Sequence, residues 1–409
     1  MRQTETVSIC PRVFLIFGGR NLLKRTGIVL LLIILGIAIS LNIHILIETV
    51  KLIPAATSEK ADKGVQHSQV ITLTAAGDCL MHNTQIWSGL MGDGSYCFDT
   101  FFSEVKYLVE EGDYSLINFE APMAGPDSGY TGYPLFNSPD AIVQAFKDAG
   151  FDLVVTANNH ALDRGYQGAI RTLEVLHAAG LDTVGTYKSE QDSRTFLIKD
   201  IKGVKIGFLA YSYGTNGIPV PDEHAYLFNF LDRDKILTDI KKLRSQVDIL
   251  VLILHWGVEY SSKPTAEQEI MAREFLQAGA DVILGGHPHV IQTMEAIKIG
   301  EKNKFVIYSM GNFISHQRGR ERNSGIVLKI KFSKDFSKGD TFLEEVSYTP
   351  TYSHSYYENG KMKFRVIPVE QTIRKIKQGK ERYLGSEHLP LLQAVLDHTS
   401  AQLGPFFRR

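Results

Sequence analysis

The sequence predicts an α/β fold that begins near residue 70, and two observations indicate this class. Short runs rich in Val, Ile and Leu recur along the chain, as expected for strands buried on both faces. Helix-like segments lie between these runs, which is typical of layered α/β domains. The predicted strands are Val70–Ala76, Tyr114–Phe119, Leu153–Ala157, Val204–Tyr211, Ile249–Leu254, Val282–Leu284 and Phe305–Ser309.

Helix boundaries are indicated by capping residues between the predicted strands. Ser138 followed by Pro139 predicts an N-cap and a first helical residue, and Gly150 predicts the end of that helix. Further helices are expected near Gly168–Ala179, Asp232–Ser245 and Thr265–Ala278.

The pattern changes after residue 325, where strand signals dominate. Asn359-Gly360 predicts a tight hairpin turn between two strands. We expect residues 326–409 to complete or cap the domain formed by residues 70–325. The predicted elements are strands Gly325–Phe332, Phe342–Tyr348, Ser353–Tyr357 and Lys363–Val369, and helix Leu389–Gln402.

The N-terminal segment predicts a membrane anchor over residues 27–48. Residues 28–41 carry no charge, and the apolar character continues to Ile47. Five basic residues against one acidic residue precede the segment, which places residues 1–26 in the cytoplasm and the main domain outside the cell. A cleaved signal peptide, with a weak site at Ala55-Ala56-Thr57, and a buried core helix are the alternatives. Residues 54–69 are small and polar, and a linker is predicted over residues 49–69.

Composition narrows the range of functions. The formal net charge of −1 gives no bias toward nucleic acid, and no nucleic-acid-binding motif is found. The three cysteines do not form a disulfide framework or a zinc-ribbon pattern. Pairing of Cys79 with Cys97 stays open, and the absence of a connecting spacing rule favours free thiols.

Polar and glycine residues cluster where the predicted strands end. Ligands of open α/β sheets gather at the carboxyl ends of strands, so we expect these residues to converge. Each alone has an ordinary explanation as a turn, a cap or a satisfied histidine, but burying several imidazoles and carboxylates together is costly unless they hold a cation or pair closely. The clusters are Gly77-Asp78, Asn118-Phe119-Glu120, Asn158-Asn159-His160, His255-Trp256-Gly257, Gly285–His289 and Gly311-Asn312-Phe313.

Imidazole together with carboxylate favours Mn²⁺, Fe or Zn²⁺ over Ca²⁺, so we expect one or two divalent ions. His287 and His289 lie on a tight turn and can each reach a different ion, and Glu120 is the natural carboxylate to bridge them. Two ions at such a site would polarise an ester or phosphoryl oxygen and activate water.

His160 is the candidate general acid, or a donor to developing negative charge. Asp163, three residues later, has two open interpretations. It could hold the imidazole of His160 in orientation, or it could simply be a favourable charge at a helix N-terminus.

Taken in order, these motifs resemble those of the CapA family, the bacterial capsule biosynthesis proteins linked to poly-γ-glutamate (PgsA-type). The resemblance covers roughly residues 70–320 and rests on the ordered set rather than on any single motif. It includes Asn158-Asn159-His160-x-x-Asp163, Gly286-His287-Pro288-His289 and Ser309-Met310-Gly311-Asn312-Phe313.

The CapA family is similar to calcineurin-like metallophosphatases, which implies a four-layer α/β/β/α sandwich after one transmembrane helix. By that similarity His160 is the catalytic histidine and Glu120 stands where a bridging aspartate is usual. The implied metal ligands are Asp78, Glu120, Asn159, His255, His287 and His289.

Two positions depart from the metallophosphatase pattern. The usual Asp-x-His motif has Leu80 in place of its histidine, and His82 is four residues beyond Asp78. The usual Gly-Asp-x-x-Asp motif is replaced by Asn118-Phe119-Glu120. One metal position is therefore expected to have fewer protein ligands.

Two functions remain open from the sequence. One is a metal-dependent hydrolase outside the membrane that acts on a phosphoester or on an amide of an anionic polymer. The other is a non-catalytic subunit of a polymer synthesis or export complex, with other membrane subunits as partners. The resemblance alone implies capsule or envelope polymer production, whereas the predicted anchor implies location at the cell membrane. A germination or sporulation role is a third possibility.

Overall fold

A computed structural model of the protein describes residues 68–409. The predicted cytoplasmic segment and anchor, residues 1–48, lie outside the described residues. The predicted linker 49–69 does too, except for Ser68 and Gln69, which begin the first strand. Within residues 68–409, no helix is both long enough and apolar enough to cross a membrane.

Fifteen strands within residues 68–409 form two sheets. They are β1 (Ser68–Cys79), β2 (Tyr114–Phe119), β3 (Leu153–Val155), β4 (Asp182–Val184), β5 (Leu197–Ile201), β6 (Val204–Ser212), β7 (Ile249–His255), β8 (Val282–Gly286), β9 (Met294–Ile299), β10 (Lys302–Ile307), β11 (Asn312–Ile314), β12 (Ser324–Asp335), β13 (Asp340–Glu358), β14 (Lys361–Pro368) and β15 (Phe407–Arg408).

The first sheet has the order β14-β13-β12-β1-β2-β3-β4, with β11 paired to β1 and β15 paired to β13. Strands β1 to β4 are parallel, whereas β12, β13 and β14 join antiparallel. The second sheet has the order β5-β6-β7-β8-β10-β9, with a parallel centre and antiparallel edges. In both sheets the parallel strands end on the loops that carry the predicted site residues.

Three apolar clusters show how the layers stack. The central one is lined by both sheets, for example by Leu153 from β3 and Val251 from β7. A second packs the outer face of the first sheet against helical residues such as Phe146, and a third does the same for the second sheet with Phe275. Successive residues of β7 alternate between the central and the outer cluster, which explains its unbroken apolar run.

Nine α-helices within residues 68–409 cover the sheets or close the C-terminal part. They are α1 (Asn83–Gly89), α2 (Lys106–Val109), α3 (Ile142–Ala149), α4 (Gly165–Ala178), α5 (Glu190–Ser193), α6 (Arg233–Arg244), α7 (Ala266–Ala278), α8 (Val369–Lys377) and α9 (Leu389–Leu403). Capping chemistry sets several of these ends: Asp232 accepts from the N–H of Lys235, and Thr265 with Gln268 forms a capping box.

The predicted N-cap at Ser138 is wrong, because α3 begins at Ile142. The N–H of Ser138 donates to the carbonyl of Pro122 at 2.9 Å, which holds this residue in an extended segment. Asp140 forms an ion pair with Arg171, with 2.6 Å between Oδ2 and Nη2. The predicted helix end at Gly150 agrees with the structure, since Gly150 adopts the left-handed conformation at φ 93°.

Several strand predictions also need correction. The separate strands predicted at Phe342–Tyr348 and Ser353–Tyr357 are one 19-residue strand, β13, in which Pro350 pairs opposite Ile326. The strand predicted to reach Ser309 ends at Ile307. The sequence patterns did not predict β4, β5, β9, β11 and β15, which are short or lie at edges where the apolar signal is weak.

Close packing of β1 against β11 depends on Gly77. A Cβ atom there would lie 2.0 Å from the carbonyl oxygen of Gly311. The same carbonyl accepts from the N–H of Asp78 at 3.0 Å, and β1 and β11 pair Asp78 with Asn312. The glycine therefore allows two site residues to lie side by side.

We expect Gly77→Ala to destabilise the fold by about 1–3 kcal/mol, because the added methyl must push backbone aside rather than a flexible side chain. Urea denaturation measures the change. Gly92→Ala is the matched control, since a Cβ atom there meets no atom within 4 Å. Equal stability of the two variants would contradict the close approach described here.

Candidate metal centre

The six predicted metal ligands converge where the two sheets meet at their carboxyl ends. Three groups of His, Asp and Glu each place their ligand atoms within 4.8 Å of one another. We call them the first donor triad (Asp78, Glu120, His289), the second donor triad (Glu120, His255, His287) and the third donor triad (Glu259, His287, His289). All members except Glu259 are buried.

Asp78 and His289 fix the geometry of the first donor triad. The Nδ1 atom of His289 lies 3.3 Å from Oδ2 of Asp78 and 3.0 Å from Oδ1 of Asn312. These contacts leave Nε2 facing Glu120, at 3.7 Å from Oε1. Asp78 in turn accepts from Asn118 at 2.8 Å, so both members are held in orientation by hydrogen bonds.

The second donor triad joins the two sheets through Glu120. Nε2 of His255 lies 3.5 Å from Oε1 of Glu120 and 2.8 Å from Oδ1 of Asn159. Asn159 was predicted as a ligand, and its amide oxygen does face this histidine. The backbone N–H of His287 donates to Asp78 at 3.1 Å and ties the second triad to the first.

Buried polar atoms without partners indicate that a cation fits here. Among residues 68–409, neither carboxylate oxygen of Glu120 has a hydrogen-bond partner, and neither does Nδ1 of His287. Leaving such groups buried and unpaired costs about 1–3 kcal/mol or more each. Coordination of a divalent ion by oxygen and imidazole donors would satisfy them, and the donor set suits Mn²⁺, Fe or Zn²⁺.

Backbone strain is concentrated around the centre. Asn216, Tyr260, His287 and His289 are non-glycine residues with positive φ, at 53°, 64°, 95° and 58°. Such conformations cost roughly 1–3 kcal/mol each and persist where the surrounding structure holds them. Gly286 relieves crowding beside them, because a Cβ atom there would lie 2.7 Å from Oδ1 of Asp78.

His160 lies beside the triads rather than in them. Its Nδ1 atom lies 2.7 Å from Oδ2 of Asp163, which also accepts the N–H of Phe136 at 2.8 Å. The Phe136 ring packs edge-on against the imidazole with centroids 4.7 Å apart. Asp163 precedes α4, which begins at Gly165, and this contact supports the orienting interpretation of Asp163.

The departures from the metallophosphatase motif are visible in the structure. Leu80 is buried, and its N–H donates to the carbonyl of Ile314 at 3.0 Å, so it offers no ligand. His82 belongs to none of the donor triads and instead lies 3.2 Å from Gln85 at the start of α1. Within the described residues Cys79 and Cys97 form no disulfide, as the sequence analysis favoured.

Three residues of the centre were missed by the sequence analysis. Asn216 bonds Asn159 at 3.0 Å and lies 3.4 Å from Nδ1 of His160, and the Tyr213 ring lies 4.4 Å from that of His287. Both follow β6, and no predicted cluster of polar residues included the carboxyl end of this strand. Glu259 lies four residues after the end of β7, and its spacing from His255 gave no signal.

The environment separates the protonation states of the triad members. Burial lowers the pKa of His255 to about 3, and burial with the neighbouring His255 lowers that of His287 to about 2. Burial opposes ionisation of Asp78, but the hydrogen bond from His289 and the charge of His255 bring its pKa to about 2. Two imidazoles and one carboxylate are therefore ready to coordinate at neutral pH.

Glu120 and His289 differ from the others because both of their pKa values are raised. Burial raises the pKa of Glu120 to about 8. Burial alone would lower the pKa of His289, but attraction to Glu120 and its hydrogen bond to Asp78 raise it to about 9. A metal ion would have to displace the proton that this pair holds.

The stacked sheets and the Asp, Glu, Asn and His donors at their strand ends define a layered α/β protein with a candidate metal centre. Residues 72–317 match the family model of the bacterial capsule synthesis protein PGA_cap. The chain belongs to this family of bacterial capsule synthesis proteins, which confirms the resemblance found in the sequence.

Individual relatives agree with this assignment. The chain is 30% identical over 275 residues to the capsule biosynthesis protein CapA of Bacillus anthracis, covering 64% of each chain. It is 30% identical over 233 residues to the PGA biosynthesis protein CapA of Bacillus subtilis, covering 56% of this chain and 60% of that one. The chain thus spans less than two thirds of the length of these relatives.

Solved structures show weaker likeness. A putative 5'-nucleotidase from Staphylococcus aureus superposes with a TM-score of 0.45 at 14% identity, over 80% of this chain and 58% of that chain. A phosphatase from Mycoplasma pneumoniae gives a TM-score of 0.42 at 12% identity, over 69% and 93%. At these scores the likeness carries no argument about function.

We predict that binding of Mn²⁺ near neutral pH releases about one proton or more per centre, because the ion must displace the proton held by Glu120 and His289. The apparent affinity should rise with pH by up to about tenfold per unit for each proton released, and level off above the pKa of His289. Calorimetry in buffers of different ionisation enthalpy counts the protons, and Glu120→Gln should release one fewer.

The raised pKa values of Glu120 and His289 also make the stability of the metal-free fold depend on pH. Both folded-state pKa values lie above their ordinary values of 4.5 and 6.5. Each group therefore stabilises the metal-free fold fully at low pH, and that contribution is lost as the pH rises through about 8 and about 9.

Metal binding without proton release would contradict this description of the centre.

Proposed function

We propose that this protein is a metal-dependent hydrolase of calcineurin-like metallophosphatase type that acts in bacterial capsule biosynthesis, on a phosphoester or on an amide bond of poly-γ-glutamate or another anionic polymer. The observation that carries the proposal is the buried carboxylate of Glu120, with no hydrogen-bond partner among residues 68–409, between His255 and His289. The family assignment supports the process, and the donor set supports the chemistry.

The residues of the centre would have different roles in the reaction. The first and second donor triads would hold divalent cations, which supply Lewis-acid polarisation of the scissile group and activation of water. Asp163 occupies Nδ1 of His160, so Nε2 is the nitrogen that can donate a proton to the leaving group. Phe136 covers the imidazole with its ring and limits access of water to this pair.

A specific observation favours a second candidate, a non-catalytic subunit that keeps the centre for binding. Leu80 replaces the histidine usual in metallophosphatases, and its buried side chain offers no ligand. The first donor triad then has three donors, and it would bind an ion more weakly than a site with four. In this alternative the centre binds metal and polymer without turnover.

We also propose that the apolar segment 27–48 anchors the protein in the cell membrane with residues 68–409 outside. The basic residues before the segment and the absence of charge within residues 28–41 support this arrangement. Other membrane subunits of a polymer synthesis or export complex would then be its partners.

We expect His160→Ala to lower kcat by about 10²–10⁴-fold while leaving the bound metal unchanged, because His160 transfers a proton but belongs to none of the donor triads. The assay uses the purified full chain with Mn²⁺, a chromogenic phosphodiester and a γ-glutamyl amide, and metal content is measured in parallel.

His177→Ala is the matched control, since His177 is exposed on α4 and contacts Thr183. Metal-dependent turnover that His160→Ala removes and His177→Ala keeps supports the hydrolase. Bound metal with no turnover in the unmodified chain would instead support the non-catalytic subunit.

A further inference from the structure

Glu259 lies on a solvent-exposed side of the centre. Glu259 is the exposed member of the third donor triad, whereas the other triad members are buried. Its carboxylate lies within 4.8 Å of ligand nitrogens of His287 and His289. Because His287 belongs also to the second triad and His289 to the first, Glu259 spans both positions where an ion would be held.

The loop that carries Glu259 is fixed to the histidine turn. The N–H of Tyr260 donates to the carbonyl of Pro288 at 2.7 Å, which joins the loop after β7 to the residue between the two histidines. Tyr260 has φ 64°, and its ring lies 6.0 Å from that of His289 and beneath Arg322 at 4.5 Å. This strained and anchored backbone holds the carboxylate over the centre.

The electrostatic surroundings of Glu259 also point to the centre. Among the described residues, no Lys or Arg forms an ion pair with this carboxylate. Its charge contributes to the pKa values of Glu120, His255 and His289, so it faces the buried cluster. An exposed carboxylate held beside two imidazoles, with no Lys or Arg paired to it among the described residues, is placed as a ligand would be.

We infer that Glu259 is a metal ligand that closes the centre from its solvent side and makes up for the histidine that Leu80 replaces. The inference rests on the proposed metal centre and adds a ligand from outside the metallophosphatase motif. An ion bound through His289 then gains a fourth protein donor, and a substrate that approaches from solvent meets this carboxylate first. Substrates with an uncharged scissile group, such as an amide, are favoured over phosphate dianions by the same charge.

The test compares Mn²⁺ binding by the full chain and its variants Glu259→Gln and Glu267→Gln. Glu267 is an exposed residue in the first turn of α7 and gives a matched loss of one charge. We expect Glu259→Gln to weaken binding of one ion by about tenfold or more and to reduce the spin-coupled two-ion signal in electron paramagnetic resonance. Glu267→Gln should bind as the unmodified chain does, and Glu259→Asp should recover part of the loss.

The outcomes separate the inference from the proposed function. If the unmodified chain binds two ions and Glu259→Gln binds them with the same affinity and signal, the inference is overturned while the metal centre stands. If the unmodified chain binds no Mn²⁺ at all, both the proposed centre and the ligand role of Glu259 are rejected. Unchanged circular dichroism of the metal-free variants shows that any loss is local.

Discussion

The carboxylate of Glu120 is the group on which the organisation of this protein depends. It is fully buried, and among the described residues neither of its oxygens has a hydrogen-bond partner. Burial of an unpaired carboxylate is so unfavourable that the group either holds a proton or coordinates a cation. The arrangement of His255 and His289 at 3.5 and 3.7 Å from the same oxygen favours coordination.

Neither sheet alone could form this centre. The first sheet places Asp78 near the end of β1 and Glu120 directly after β2, and the second places His255 at the end of β7 and His287 directly after β8. Two cross-sheet contacts, from Asn159 to His255 and from His287 to Asp78, show that the carboxyl ends meet. The apolar cluster between the sheets therefore supports function as well as stability, because it sets the distance between the two halves of the donor set.

The strands and site residues that were predicted correctly from the sequence share a strong local pattern. Buried strand β7 begins with an unbroken apolar run, Ile249–Leu254, and a polar residue directly after such a run is easy to recognise. The N-cap prediction at Ser138 was wrong because its N–H donates to the carbonyl of Pro122, a contact that no local pattern reveals. Glu259 was missed for the same kind of reason, since only the contact of its loop with Pro288 brings it to the centre.

The most direct measurement is anomalous X-ray diffraction at the manganese edge from crystals of this protein grown with Mn²⁺. We predict anomalous density enclosed by Asp78, Glu120 and His289, and a second peak enclosed by Glu120, His255 and His287. Ordered manganese elsewhere, or a centre in which Glu120 pairs with a protein donor and no ion is bound, would contradict the claim that these segments converge to hold a metal.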